Sequence, residues 1–304
     1  MSEVKNLQAS IRQRLLNKAH KDNRPFNEIL QYYAIERFLY RISRSDYSDK
    51  FILKGALMFL AWGTSVYRPT RDIDLLGFTT NELDAVSRIF KDICDQEVEP
   101  DGLIFDNSFV QCERIKEDAD YEGVRVNLVG YLGKAKIPMQ IDIGFADVVS
   151  PAPITFKYPT ILQMPMPQLR GYSPESVVAE KLQALVFLDR ANSRMKDFHD
   201  LWVMAEHFEF DGGILQGAII NTFQRRKTEL PMEIPVGLSG SFAAEKQTQW
   251  KAFRQRMHLE TVPISFSDVS RVINGFLVPP LLKSAIGELF EGTWEPGGPW
   301  KFLI

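Results

Sequence analysis

The spacing of apolar residues changes from strand-like to helical between residues 147 and 173 of this chain, and that change limits the folds open to it. From Leu103 to residue 147 the pattern is strand-like, with VRVNLVGYLG at 124–133 and MQIDIGF at 139–145. From Ser173 onward the spacing is helical. Strands grouped in one part of a chain and helices grouped in another predict an α+β protein.

A proline-rich segment separates the two parts. Because proline lacks a backbone N–H and has a fixed φ, this segment is unable to run as a regular helix or a central strand. Its prolines are Pro151, Pro153, Pro159, Pro165 and Pro167. We therefore place a domain boundary there, with one domain over 1–150 and a mainly helical domain over 151–304.

Other segments predict the remaining elements. DIDLLGF at 72–78 contains the β-branched Ile73 and is expected to be a short strand that pairs in one sheet with the two later strands. Ser173 is expected to cap a helix that has Pro174 in its first position and ends near Leu188. Helices are also predicted over 26–45, 52–62, 81–95, 197–208, 213–226, 242–257 and 267–284.

Composition excludes several classes of protein. With 45% hydrophobic and 25% charged residues and no apolar run near the roughly 20 residues of a spanning helix, no membrane segment is predicted. The polar N-terminal stretch lacks the apolar region of a secretory signal, so we expect a cytoplasmic protein. Cys94 and Cys112 form no CxxC motif, which argues against a disulfide scaffold or a zinc module.

The pair Asp72 and Asp74 is the first candidate site. In a strand, alternate side chains share a face, so both carboxylates are expected on one side with Ile73 on the other. Two adjacent carboxylates repel each other unless a cation lies between them, and Mg²⁺ favours carboxylates together with substrate phosphates. The alternative is an edge strand with two solvated acids.

Two neighbouring features favour the metal site. Lys54 and Gly55 precede the predicted helix start at 56, where free backbone N–H groups can bind phosphate. Asp142 lies in an otherwise apolar strand and is costly to bury unless it is paired or metal-bound. Asp142 is therefore a third candidate metal ligand, for a site of one or two Mg²⁺ ions, or else a hydrogen-bond acceptor for Lys54 or Arg125.

A second constellation lies on the predicted helices. Lys181 is surrounded by apolar positions and is either a phosphate contact or a lysine that extends to solvent at a helix edge. Asp197 and Asp200 are three residues apart on one helix face, so they either share a site or form surface pairs with Arg194 and Lys196.

A local basic surface is also predicted, although the net charge is only −3. Arg37, Arg41 and Arg44 recur on one helix face, and Arg68 and Arg71 lie near the Asp72 strand. These arginines are expected either to contact RNA phosphates or to pair with Glu36 and the acid-rich stretch 92–101.

These motifs occur in an order that resembles the AbiEii/AbiGii toxin family of nucleotidyltransferases. The matching segments are FILKGALMFLAWGTSVYRPTRDIDLLGF, QIDIGFADVVSP, SPESVVAEKLQAL, RMKDFHDLW, WKAFRQRM and EPGGPW. Each segment alone is unspecific, whereas their ordered combination is specific. The resemblance implies a DNA polymerase β-like nucleotidyltransferase core, with a mixed sheet and helices, followed by a helical C-terminal domain.

The resemblance also implies a function and partners. It implies a magnesium-dependent toxin of a toxin–antitoxin or abortive-infection pair that moves a nucleotide from an NTP to an RNA acceptor such as tRNA. A cognate antitoxin with a winged-helix domain is the expected protein partner. Transfer to a protein or small-molecule hydroxyl, or nucleotide binding without catalysis, are the alternatives.

The family pattern assigns roles to individual residues. It implies a phosphate loop of Lys54, Gly55 and Ala56, a Mg²⁺ site at Asp72 and Asp74, a nucleotide contact from Lys181, and an active site completed by Asp197. Arg71, directly before Asp72, is expected to contact the nucleotide as well. Ala56 departs from the usual Gly-Ser or Gly-Gly of the loop, so a hydroxyl contact to phosphate is lost while the backbone donors remain.

Overall fold

The strand-like and helical patterns form separate groups of elements in the computed structural model, which describes residues 6–64, 68–118, 121–145 and 149–302. These residues divide into two compact units. The first contains 6–63, 70–145 and 154–171, and the second contains 64, 68–69, 149–153 and 172–302. Residues 146–148, inside one family motif, lie outside the described residues.

The first unit combines a sheet with helices. In chain order its elements are α1 (Leu7–Lys21), α2 (Phe26–Arg44), β1 (Phe51–Lys54), α3 (Leu57–Ala61), β2 (Asp72–Gly77), α4 (Leu83–Cys94), β3 (Leu103–Asp118), β4 (Tyr121–Leu132), β5 (Ala135–Gly144), β6 (Ile154–Lys157) and β7 (Gln168–Gly171). The sheet has the order β3-β4-β5-β2-β1-β7-β6. It is mixed, because β2 runs parallel to β5 and β1 runs parallel to β7 while the other neighbours are antiparallel. The predicted pairing of the three strands is confirmed.

The apolar face of this sheet forms the core of the first unit. Leu53, Ile73 and Ile141 lie on adjacent strands and are at most 1% exposed. On the same face the Phe51 ring packs edge-on against Phe90 of α4, with centroids 5.6 Å apart. Burying such side chains contributes about 1.5–3 kcal/mol each, which fixes which face of β2 points inward.

The predicted helix over 52–62 is wrong at its N-terminal end. Phe51–Lys54 is a strand between β2 and β7, and the helix α3 covers only five residues. Gly55 adopts a φ of +71°, a conformation that ends the strand and that side-chain-bearing residues rarely adopt. Three apolar residues and a lysine before such a glycine fit a central strand as well as a helix, so periodicity alone does not separate the two.

The proline-rich segment does contribute to the sheet. β6 lies between Pro153 and Pro159, and β7 begins directly after Pro167, so neither strand contains a proline. The two strands extend the sheet beyond β1. Residues 154–171 therefore belong with the sheet rather than with the helices that follow. The sequence analysis assigned them to the helical domain because the prolines were expected to break the whole segment. A proline excludes regular structure only at its own position, so short strands form in the stretches without proline.

The second unit is mainly helical. Its elements are α5 (Pro174–Leu188), α6 (Met195–His207), β8 (Phe210–Asp211), α7 (Gly212–Arg225), α8 (Gly240–Met257), α9 (Phe266–Ala285), β9 (Thr293–Trp294) and β10 (Trp300–Lys301). The Ser173 side chain accepts a hydrogen bond from the Ser176 N–H, which confirms the predicted cap. Phe198, Trp250 and Phe266 pack together in the core of this unit. None of the described helices is long and apolar enough to cross a membrane.

Of the two alternatives for the arginines of α2, contact with RNA is wrong for Arg37 and Arg41, and pairing with the predicted acids is confirmed for both. Arg37 Nε lies 3.4 Å from Glu36 Oε1, and Asp101, which binds Arg41, is the last residue of the acid-rich stretch 92–101. Arg37 is 1% exposed and donates to the Pro165 carbonyl oxygen, and Arg41 is 6% exposed and donates to both carboxylate oxygens of Asp101. Only Arg44 is exposed. The i, i+4 spacing located one helix face correctly, but that face is buried, and the acid that pairs with Arg41 lies 60 residues away in sequence.

Glu36, next to Arg37 on α2, is buried on the same helix, and its ionisation can be used to test that burial. Its carboxylate accepts a hydrogen bond from the Ile161 N–H at 2.7 Å, and burial raises the pKa of Glu36 from 4.5 to about 8 despite the nearby Arg37. In the unfolded chain this carboxyl ionises near pH 4.5, so the folded state binds more protons between about pH 5 and 8. The free energy of unfolding should therefore fall as the pH rises through this interval.

We expect Glu36→Gln to remove that pH dependence, because the amide does not ionise. Urea unfolding at several pH values should show the wild type losing stability relative to the variant, with a slope approaching about 1.4 kcal/mol per pH unit. Parallel stability curves for the two proteins between pH 5 and 8 would contradict this assignment.

Candidate active site

The β2 strand places two carboxylates side by side on the polar face of the sheet. Asp72 and Asp74 are half-buried, while Ile73 between them is fully buried on the opposite face. The strand and its alternation are as predicted. The interpretation as an edge strand is wrong, because β2 lies between β5 and β1.

The turn after β1 is packed directly against Asp74. Lys54 is 6% exposed and lies opposite Asp74 in the β1–β2 register. A Cβ atom added at Gly55 would lie 2.0 Å from the Asp74 Oδ2, far inside van der Waals contact. Two features therefore require glycine at position 55, namely the positive φ and the close approach of the Asp74 carboxylate.

The helix after this turn is too short to act as a strong phosphate site by itself. α3 has five residues, and the N–H groups of Met58 and Phe59 already donate to the carbonyl oxygens of Gly55 and Ala56. The predicted helix start at 56–62 is therefore only partly present. Ala56 is 5% exposed, and Arg71 is exposed directly before β2.

Asp142 lies beside Asp74 on the neighbouring strand, in register with it. Arg125 of β4 donates to both oxygens of Asp142 at 2.8 and 2.9 Å, and the Gln140 amide approaches the same oxygens at 3.3 and 3.2 Å. Of the two partners that the sequence left open for Asp142, Arg125 is the one that the structure shows bound to it. A bidentate pair of this kind is strong, so Arg125 would have to move before Asp142 could bind a metal.

The polar face of the sheet fits a magnesium ion held mainly by Asp72 and Asp74. Within the described residues no group of three or more His, Cys, Asp or Glu side chains is arranged to hold a metal. Magnesium does not need one, since it is usually bound by one or two carboxylates and completes its shell with water and substrate phosphates. Asp72 and Asp74 lie on the same face of β2 and are only half-buried, which suits such a role.

The second unit contains a buried ionic cluster. Lys181 Nζ lies 2.7 Å from Asp197 Oδ1 and 2.9 Å from Asp200 Oδ2. Arg194 Nε lies 2.7 Å from the other oxygen of Asp197, and Arg68 donates to both oxygens of Asp200 at 3.1 and 3.2 Å. Both aspartates are at most 2% exposed, so the interpretations as surface pairs and as a solvent-reaching lysine are wrong.

The electrostatics of this cluster favour its charged form. Burial alone would raise the pKa of Asp197 and of Asp200, but the neighbouring cations outweigh burial and hold both values below 3.8. Burial would likewise lower the pKa of Lys181, yet Asp197 and Asp200 hold it above 10.5. The two carboxylates are bound by the three cations Lys181, Arg68 and Arg194.

The sequence brings Asp197 and Asp200 together as one of two alternatives, but it gives no sign of Arg68 or His199 in this cluster. Arg68 is predicted to contribute to a basic surface, but its side chain is 12% exposed and binds Asp200. His199 Nδ1 lies 3.0 Å from Asp200 Oδ1. The useful signal was Lys181 itself, because a lysine among apolar positions requires a buried anion.

The predicted site residues divide between the two units. The first unit holds Lys54, Gly55, Ala56, Arg71, Asp72, Asp74 and Asp142, and the second holds Lys181 and Asp197.

Comparison with known proteins identifies one family. The family model described as nucleotidyl transferase AbiEii toxin, type IV toxin–antitoxin system, matches residues 37–272. No curated protein matches the chain.

Two solved structures are similar to the chain. JHP933 from Helicobacter pylori is 13% identical, with 83% of this chain and 90% of that chain covered and a TM-score of 0.44. A proposed nucleotidyltransferase from the same organism is also 13% identical, with coverage of 83% and 93% and a TM-score of 0.43.

We expect Gly55→Ala to destabilise the protein more than Gly63→Ala. Both glycines have a similar positive φ, +71° and +74°, but a Cβ at Gly63 would meet nothing within 4 Å. Gly63→Ala should therefore lower the free energy of unfolding by about 1–2 kcal/mol through backbone strain alone. Gly55→Ala should lose roughly 1–3 kcal/mol more, because the new methyl group overlaps the Asp74 carboxylate. Equal losses in urea unfolding would contradict the close packing.

We expect Asp200→Asn to lower the free energy of unfolding by about 3–5 kcal/mol, because it leaves Lys181 and Arg68 short of a buried counter-charge. The matched control is Glu295→Gln, which removes an acid that is 53% exposed and whose partner Lys301 is 61% exposed, and it should change stability by less than about 0.5 kcal/mol. Tryptophan fluorescence during urea unfolding measures both. A loss at Asp200 no larger than at Glu295 would show that the cluster does not need this anion.

Proposed function

Since the chain belongs to the AbiEii family of nucleotidyl transferase toxins of type IV toxin–antitoxin systems, we propose that it moves an NMP from an NTP to an RNA acceptor, in particular tRNA. The reaction is magnesium-dependent and takes place at Asp72 and Asp74. The observation that carries this proposal is the half-buried carboxylate pair of β2, with Gly55 packed against Asp74 so closely that only glycine fits.

The carboxylate pair supplies the metal site. Asp72 and Asp74 would hold Mg²⁺ on the polar face of the sheet, and the turn at Lys54 and Gly55 would contact the triphosphate. Bound magnesium would neutralise charge on the triphosphate and could, with a second ion, stabilise both the attacking and the leaving oxygen. In the transfer a bond forms between the acceptor hydroxyl oxygen and the α-phosphorus, and the bond from that phosphorus to the pyrophosphate oxygen breaks.

The cluster in the second unit supplies a cation for the nucleotide. We assign Lys181 to the contact with phosphate, in agreement with the family pattern and with the ammonium charge that Asp197 and Asp200 stabilise. Asp197 acts by holding Lys181 and Arg194, one on each carboxylate oxygen, rather than as a metal ligand. The positions of these side chains are fixed before substrate binds, which reduces the ordering needed in the reaction.

The choice of RNA as acceptor is supported by family membership rather than by a basic helix face, since Arg37 and Arg41 are buried. Arg44 and Arg71 remain exposed and are the residues of the predicted surface that can meet RNA phosphates. A type IV system also implies a cognate antitoxin, and we propose that this partner carries a winged-helix domain.

We expect Asp72→Asn and Asp74→Asn each to reduce transfer at least about a hundred-fold, because an amide is a poor ligand for Mg²⁺. The assay combines Mg²⁺, each α-labelled NTP and total tRNA, with label followed on gels that separate RNA from protein. Glu113→Gln is the matched control, since Glu113 is an exposed acid on the same sheet face.

The outcomes of this assay separate the alternatives. Label on RNA that is lost in both aspartate variants and retained in the control supports the proposal. Label on protein or on a small molecule would overturn the RNA acceptor, and NTP binding without any label transfer would overturn catalysis.

A further inference from the structure

A row of amide side chains extends from Asp72 across the polar face of the sheet. In the strand register Asp72 of β2 lies beside Gln140 of β5, Gln140 lies beside Asn127 of β4, and Asn127 lies beside Gln111 of β3. Residues paired in this way point to the same face. With strands about 4.8 Å apart, the row reaches roughly 14 Å from the carboxylate pair.

The first amide of the row is held in one orientation. Gln140 Nε2 lies 3.3 and 3.2 Å from the two oxygens of Asp142, which are themselves bound by Arg125. A carboxylate only accepts hydrogen bonds, so the Gln140 amide nitrogen must face it. The side-chain oxygen of Gln140, Oε1, is then the atom that can accept a hydrogen bond from a ligand.

The other two amides make no contact of this kind. Within the described part of the chain, the side-chain amides of Asn127 and Gln111 have no hydrogen-bond partner in the protein. Asn127 is half-buried and Gln111 is exposed. The chain neighbours of the row residues point to the opposite face of the sheet. There Val126, next to Asn127, and Ile141, next to Gln140, are fully buried. The row is therefore a set of neutral donors and acceptors on a rigid sheet.

The charges around the row select against a phosphate backbone. The adjacent row crosses the same strands as Lys54, Asp74, Asp142, Arg125 and Glu113. With Asp72 included, this part of the face carries four acids and two bases. It therefore repels anions everywhere except directly beside a bound cation. Amide side chains, by contrast, match the hydrogen-bonding edges of bases and the hydroxyls of ribose.

We propose that Gln140, Asn127 and Gln111 form a nucleoside-binding row that recognises the base and ribose of a substrate whose reacting group lies at Asp72 and Asp74. This inference rests on the proposed function, and the nucleoside belongs either to the NTP or to the end of the acceptor. Gln140, which presents an acceptor oxygen, selects a ligand that donates, such as an exocyclic amino group or a hydroxyl.

The test uses direct binding, so that it does not depend on turnover. Gln140→Met and Asn127→Leu replace each amide by an apolar side chain of similar size, and Gln13→Met replaces an exposed amide on α1 as the matched control. Calorimetry measures binding of α,β-methylene analogues of the four NTPs with Mg²⁺. Fluorescence anisotropy measures binding of single-stranded RNA tetramers that end in each of the four nucleosides.

We expect each row variant to weaken binding of one probe class by about ten-fold and to reduce discrimination among the four bases, with the control unchanged. Weaker analogue binding assigns the row to the NTP, and weaker tetramer binding assigns it to the acceptor. The proposal that the row binds a nucleoside is overturned if both variants bind both probes within two-fold of the wild type. It is also overturned if the wild type binds neither probe. Absence of label transfer, by contrast, would overturn the proposed function while these affinities still decide the row.

Discussion

The close packing of Gly55 against the Asp74 carboxylate is the constraint on which the site depends. It sets the end of β1, the short turn into α3 and the position of Asp74, all within a few residues. The pairing of β1 with β2 then fixes Asp72 on the same face, with Ile73 anchored in the core. Two like charges are thereby held together by apolar burial on the opposite side of the strand.

Charge neutralisation takes a different form in each unit. On the sheet, the carboxylate of Asp142 on β5 lies beside β2, and its negative charge is neutralised by Arg125. In the helical unit Lys181 is held between Asp197 and Asp200, and Arg68 and Arg194 bind the same two aspartates. The first arrangement suits a dication, and the second suits a phosphate.

Local features of the fold could be predicted from the sequence, whereas long-range pairings could not. The Ser173 cap, the strand at Asp72 and the length of α2 follow from spacing and capping within one segment. β1 was mistaken for helix because its neighbours β2 and β7 are distant in sequence. For Arg41 the sequence left both RNA contact and pairing with the acid-rich stretch 92–101 open, because its partner Asp101 comes from another element.

The central claim is that Asp72 and Asp74 together hold a hard dication with a nucleotide triphosphate. A crystal structure of the protein with Mn²⁺ and a non-hydrolysable NTP analogue tests it most directly, because the anomalous signal of manganese locates the metal without ambiguity. The account predicts a metal about 2.1 Å from a carboxylate oxygen of each aspartate, with triphosphate oxygens completing its coordination. A metal and triphosphate bound elsewhere, with neither aspartate among the ligands, would contradict it.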